Sequence, residues 1–226
     1  MRLRPITFRH ESVQPLPTTP RGHEVAMSFA LRFSDSDAPT RCASMKLRPP
    51  LPGQILFIGG ASGSGKSSLL RVVCRRAKRT GCVLNLRRIR LGNRPVIDLF
   101  DDPTFPPTLR RLCSVGLAEV WTWFRTPAQL SEGQRWRLRL ALALQSAEHA
   151  DRPVLLVCDE FAAVLDRVSA TIVAACVRRA VDARPTTLAA ILATSHDDLL
   201  PAIDPDVHVD CDFGLHCMTL LKRTAR

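Results

Sequence analysis

Apolar residues follow two rhythms along this chain. Ile55-Leu56-Phe57-Ile58, Val154-Leu155-Leu156-Val157-Cys158 and Ile191-Leu192-Ala193-Thr194 are short unbroken runs. Runs of this length, without polar alternation, read as strands buried on both faces of a parallel sheet. Residues 66–79, 135–144 and 168–181 instead space their apolar positions as helices do, and Asp182-Ala183-Arg184-Pro185 ends the last of them. Elements in this succession predict a right-handed α/β core, a mixed central sheet flanked by helices. An antiparallel strand region is expected over 25–58, on the alternation Met27-Ser28-Phe29-Ala30-Leu31-Arg32-Phe33. Further strands are expected around 82–86 and 96–98. Residues 103–107 mark a linker into a short helical lobe, about 105–147, with Val115-Gly116-Leu117 as a break. Residues 206–221 supply edge strands. Ahead of these, 1–24 contain Val13-Gln14-Pro15-Leu16-Pro17-Thr18-Thr19-Pro20 and read as a loose tail, leaving 25–226 as one domain without internal repeats.

Chemistry-bearing residues sit where these strands end. After the first run comes Gly60-Ala61-Ser62-Gly63-Ser64-Gly65-Lys66-Ser67, continued by Ser68 into a helix. A strand feeding a glycine-rich turn that opens a helix directs backbone N–H groups at phosphates. Glycines at 60, 63 and 65 allow backbone angles and close approaches that a side chain forbids. In such a loop Lys66 reaches the β- and γ-phosphates of ATP and the Ser67 hydroxyl ligates Mg²⁺. Asp159-Glu160 closes the second run, placing two carboxylates at a strand's C-terminal edge. Asp159 would hold Mg²⁺, and Glu160 would act as general base toward the attacking water. His196 follows the third run after Ser195 and is placed for the γ-phosphate, although a lone histidine there is more often structural.

With Leu130-Ser131-Glu132-Gly133-Gln134 between the phosphate loop and the acidic pair, the chain resembles the ABC ATPases over roughly residues 25–215. That pentapeptide is similar to the family's signature, and Ala163-Val164-Leu165-Asp166 stands where the family has its D-loop. The resemblance implies a phosphate-loop ATPase fold in which two copies pair head to tail on ATP. Ser131, Gly133 and Gln134 of one copy would then meet the ATP held by the other, with Glu160 and His196 as catalytic residues. Two family features are missing. No glutamine lies between Gln54 and Gln129, so Asp98 either takes the place of the usual Mg²⁺-sensing glutamine or is a solvated loop carboxylate. There is no tyrosine, so adenine stacking would fall to Phe29 or Phe33, each of which equally fits a core position, or is lost. The short insert before Ser131, with Pro95-Val96-Ile97-Asp98-Leu99-Phe100 and Asp159-Glu160-Phe161-Ala162-Ala163-Val164-Leu165-Asp166, resembles a soluble ABC group often fused to a predicted acetyltransferase domain; the residues ahead of the core are too few for that domain.

Composition narrows the partners. The chain has 226 residues, 46% of them hydrophobic, enough for one good core. No apolar stretch reaches the roughly 20 residues of a bilayer span, and 1–24 lack a secretion signal's apolar centre. Eight cysteines form no paired spacing. Cys74, Cys113, Cys158 and Cys176 fit buried apolar positions, and a reducing, cytoplasmic setting is expected. His208, Cys211, His216 and Cys217 are zinc-type ligands, weighed down by the alternating strand that holds His208. A net charge of +11, with clusters at Arg71, Arg75, Arg76, Lys78 and Arg79, at Arg87, Arg88, Arg90 and Arg94, and at Arg135, Arg137 and Arg139, admits nucleic acid as a partner. Against it stand the even spread of arginine along the chain and the lack of coiled-coil heptads. A cytoplasmic ATPase that dimerises on ATP is the leading expectation. The ATP-binding subunit of a membrane transporter and a nucleic-acid-associated ATPase are the alternatives, and an unknown protein partner is compatible with each.

Overall fold

The computed structural model describes residues 6–12, 18–30, 41–78, 81–212 and 215–220. Its centre is a six-stranded sheet built from β3 (Ile55–Gly60), β4 (Cys82–Asn85), β5 (Val154–Cys158), β6 (Leu188–Ala193), β7 (Val207–Asp212) and β8 (Leu215–Leu220). The spatial order is β4-β5-β6-β3-β7-β8. All neighbours run parallel except the antiparallel edge pair β7–β8. The expected mixed α/β sheet is therefore present. Strands β3, β5 and β6 are buried throughout apart from Gly60, as their unbroken apolar runs require.

Period-two alternation sorts these runs into two cores. Ile55, Phe57, Leu156, Cys158, Ala190 and Leu192 face one layer, with Leu138 of α5 (Glu132–Glu148) and Val177 of α6 (Arg167–Asp182). Leu56, Ile58, Val157 and Ile191 face the other, against Leu69, Leu70 and Val73 of α2 (Lys66–Ala77). Each long helix begins where its sequence provides a start. Ser131 and Gln134 form a reciprocal capping box on α5, at 3.2 and 3.0 Å. Asp166 caps α6 by accepting from the Ser169 N–H at 2.9 Å. Hydrogen bonding by the Ser169 side chain, together with that N–H, holds the Asp166 carboxyl below the usual range.

The helical lobe comprises α3 (Phe105–Ser114), α4 (Val120–Trp123) and the start of α5. The expected break falls where Gly116, at φ +79°, turns the chain after α3. Trp123 Nε1 then donates to the Leu117 carbonyl at 2.8 Å and closes that turn. Buried Arg111 ties the lobe together, donating to Asp102 at 2.5 Å and pairing also with Glu148 at the end of α5.

Other expectations fail. Residues 25–58 are not one antiparallel region: α1 (Pro20–Ser28) covers 25–28, β2 (Arg41–Leu47) pairs antiparallel with β1 (Ile6–Ser12) in a separate sheet, and β3 lies parallel in the main one. Thr19 accepts from the Gly22 N–H at 3.1 Å, and Pro20 occupies the first turn. This start signal overrides the alternation at Met27 and Ser28, while 31–33 lie outside the described residues. The segment read as a loose tail, 1–24, contains β1 and the start of α1. Residues 96–98 form a 3₁₀ turn, Val96–Leu99, instead of a strand, because the Val96 N–H is taken by the Arg125 carbonyl at 2.9 Å. Cys113 is exposed, not buried.

Candidate functional site

The sheet order sets the site. The ends of β3, β5 and β6 meet at one sheet edge, where parallel α/β folds receive ligands. A cavity of about 490 Å³ opens there, lined by Gly63, Lys66, Ser67, Asp159, Glu160 and Thr194 among others. The loop between β3 and α2 can only be glycine-rich. A Cβ at Gly60, where φ is +123°, would stand 2.1 Å from the Cys211 carbonyl oxygen. Gly65 begins α2 at φ +99° with no side chain over the helix end, which leaves the first-turn N–H groups open to an anion in the cavity. The Ser64 hydroxyl is buried without a hydrogen-bond partner among the described residues.

Lys66 Nζ donates to the carbonyls of Gly60 and Ala61, at 2.7 and 2.6 Å. The ammonium thus lies folded over the loop that would carry phosphates. Ser67 Oγ donates to Asp159 Oδ1 at 3.0 Å, bringing a hydroxyl and a carboxylate from two elements to one point. Hard oxygens in that arrangement suit Mg²⁺. Glu160 takes a left-handed backbone, φ +52°, which a non-glycine residue adopts only when its surroundings impose it. The next residue explains this: Phe161 is fully buried, its N–H bonds the Ala193 carbonyl at 2.7 Å, and its ring meets Trp136 of α5 edge-on at 5.5 Å. Helix α5 and the acidic strand end are in this way packed as one piece.

The expected residues do not all gather at this cavity. Ser62, Gly63, Gly65, Lys66, Ser67, Ser68, Asp159 and Glu160 line it, and Gly60, Ala61 and Ser64 support its loop. His196 stands one residue beyond the lining Ser195, its N–H bonded to Thr194 Oγ1 at 3.3 Å. Ser131, Gly133 and Gln134 lie outside the cavity at the start of α5. Gly133 is tightly packed, since a Cβ there would come 3.3 Å from the Val164 carbonyl of the same chain. Asp98 is exposed and also outside. Phe29 is 73% exposed at the end of α1, against its core reading, and Phe33 lies outside the described residues.

The zinc reading loses its basis in β7. His208 packs on Phe57, ring to ring at 5.3 Å, whereas Cys211 joins the core on the opposite face. Three positions along a strand cannot bring both to one ion, and the side chains of His216 and Cys217 lie outside the described residues, among which no group of metal ligands forms. Burial pushes the Cys211 thiol up to about 11, countered in part by Lys66. Burial likewise pushes Cys74 up to about 11, and Cys158 further, so these thiols stay protonated.

One residue beside the cavity escapes the motifs. Arg87, just past the end of β4, donates from Nη2 to Glu160 Oε2. Its only signal in the sequence is its place two residues after a strand that pairs with the acidic strand in parallel.

The family model described as the AAA ATPase domain matches residues 46–194, and the chain belongs to that family of phosphate-loop ATPases. Its curated relatives are named as import ATP-binding proteins. It is similar to an aliphatic sulfonates import ATP-binding protein, SsuB 1, of Paraburkholderia xenovorans (strain LB400), 36% identical over 52% of this chain and 38% of the relative. It is likewise similar to a zinc import ATP-binding protein, ZnuC, of Jannaschia sp. (strain CCS1), 33% identical over 65% of this chain and 63% of the relative. The chain thus spans roughly two fifths to three fifths of these relatives' own lengths. In fold it matches a dimeric ATP-binding cassette in a post-hydrolysis state bound to ADP and phosphate, with TM-score 0.57 and 14% identity over 85% of this chain and 95% of that one. The protein is an ATP-binding domain of the ABC type. Among the described residues, no helix of this ABC domain is long and apolar enough to cross a membrane.

Proposed function

We propose that this ABC domain hydrolyses ATP with Mg²⁺, and that two copies pair head to tail around the nucleotide to do so. One observation carries this reading. Lys66, Ser67, Asp159 and Glu160 share one cavity, while Ser131 and Gly133 lie outside it with the Ser131 backbone at an exposed helix start. A signature that cannot serve its own cavity is available to a second copy's.

Each residue's part follows from its chemistry. Lys66 exchanges the Gly60 and Ala61 carbonyls for phosphate oxygens, and the first turn of α2 adds its N–H groups. Ser67 and Asp159 would hold Mg²⁺, which offsets charge on the phosphates. Glu160 accepts the proton of the attacking water. In the ligand-free geometry its Oε2 is occupied by Arg87, so that contact must open before the carboxylate can act.

The test is Glu160→Gln. Losing the base should slow turnover by about 10²–10⁴ while leaving ATP bound. Sedimentation with Mg-ATP should then show a dimer that vanishes without nucleotide, and adding Ser131→Arg should split it. An ATP-loaded Glu160→Gln protein that stays monomeric at high concentration refutes the paired mechanism. The relatives named as import ATP-binding proteins favour a second reading, in which a membrane subunit is the partner. Co-expression with a candidate membrane subunit, retained through detergent extraction, would support it.

A further inference from the structure

A second concavity, of about 830 Å³, separates the stretch after β4 from the first half of α5. It shares no lining residue with the nucleotide cavity. Five arginines line it, Arg87, Arg88, Arg90, Arg135 and Arg139, and no acidic side chain does. Arg135 and Arg139 stand one helical turn apart on the same face of α5, where side chains four residues apart are neighbours. Arg135 Nη1 is braced on the Leu130 carbonyl at 2.7 Å. Arg139 Nε is buried and has no hydrogen-bond partner among the described residues. So many guanidinium groups around one concavity repel one another unless an anion joins them.

Arg87 connects this groove to the chemistry, since its guanidinium lines the groove and also holds Glu160. Both side chains of that pair are more than half exposed, at 55% and 67%, so water weakens it and phosphates can compete for the arginine.

We propose that the groove binds the phosphodiester backbone of a single nucleic-acid strand, and that the strand draws Arg87 off Glu160 and thereby raises ATP turnover. The second half rests on the hydrolysis reading above; the first does not. Planar guanidinium forks bind phosphate oxygens bidentately, and every basic residue of the groove is arginine. The arginines follow one another along the loop and then the helix, which suits a chain of evenly repeated anions better than one isolated anion. A concavity of this size takes in one strand, whereas a duplex would touch only its rim. The net charge of +11 adds long-range attraction without sequence preference.

Fluorescence anisotropy of a labelled single-stranded oligonucleotide tests this directly. With Arg135 braced on the Leu130 carbonyl, the other four arginines should give a slope of about −2.8 in log K against log salt, or about 50-fold weaker binding at 200 mM than at 50 mM. Arg88→Glu with Arg90→Glu should weaken binding, cut that slope by more than half and leave basal ATP turnover unchanged. Arg88→Gln with Arg90→Gln should act in the same direction with smaller amplitude, which separates loss of charge from any misfolding. The strand should stimulate ATP turnover of the unaltered protein but not of Arg87→Gln, whose basal rate should already be raised.

Absence of binding at low salt, or binding that ignores both double variants, overturns the proposal. Tighter binding of a duplex of the same sequence overturns the assignment to a single strand. Polyglutamate displacing the oligonucleotide at equal charge concentration would mean an acidic protein segment is the partner, and would overturn it too. Salt-dependent binding by a protein that turns over no ATP would uphold the groove and refute the hydrolysis reading instead.

Discussion

Asp102→Ala isolates what holds the helical lobe on the ATPase core. The Asp102 side chain is 5% exposed, and its Oδ2 accepts from Thr108 Oγ1 at 2.6 Å and from Arg111 Nη1 at 2.5 Å. Arg111 is itself only 8% exposed, and its Nε already lacks a partner among the described residues. Removing the carboxylate leaves a buried guanidinium with Glu148 as its remaining partner. Breaking a buried pair costs about 3–5 kcal/mol; because Glu148 remains, the lower end applies, about 3 kcal/mol. For a domain of this size that lowers Tm by about 9 °C. Asp102→Asn keeps an acceptor for Thr108 and loses only the charge, so about half that cost is expected.

Acidity supplies the second readout. Burial disfavours ionised Asp102, but the hydrogen bonds from Arg111 and Thr108 outweigh it and hold the carboxyl below its usual range. A group with a lowered folded pKa stabilises fully above its unfolded value, about 3.9, and loses that contribution as pH falls through the folded value. Urea unfolding followed by circular dichroism should therefore show the full gap between the two proteins at pH 7 and at pH 5, narrowing below about pH 4. Nucleotide affinity should not change, because Asp102 is far along the chain from the cavity and lines no part of it. A gap under 1 kcal/mol at pH 7, or one that widens on acidification, would refute this account.

Lys66→Ala should abolish ATP binding in a protein that still unfolds cooperatively, since it deletes the one ammonium poised over the phosphate loop; undiminished affinity by titration calorimetry would contradict the site. Gly60→Ala should destabilise the domain by about 3 kcal/mol or more, through both its positive φ and the clash with Cys211, as read from the urea midpoint. Asp98→Ala should leave steady-state turnover within about twofold, because the carboxylate is exposed and away from the cavity. A loss comparable to that of Glu160→Gln would restore Asp98 to the Mg²⁺ site.

What the chain reveals before folding is whatever depends on close spacing. The phosphate loop is written in eight consecutive residues, so its strand, turn and helix could be read together. The N-terminal region failed for the opposite reason. At 27–28 the period-two pattern competed with a cap at Thr19 and Pro20 that lies before it, and the earlier signal determined the backbone there. Residues 96–98 carry strand-like side chains, yet they form a 3₁₀ turn in which the Val96 N–H donates to the distant Arg125 carbonyl. Arg87 shows the limit most clearly. Nothing adjacent in sequence distinguishes it from Arg88 or Arg90, because its role follows from which strands are neighbours. Only the pairing of β4 with β5, Asn85 opposite Val157, brings the residue just past one strand end to the acidic residue just past the other. Had β4 paired one position out of register, Arg88 or the apolar Leu86, depending on the direction of the slip, would have stood at Glu160 instead, with the same composition and the same motifs.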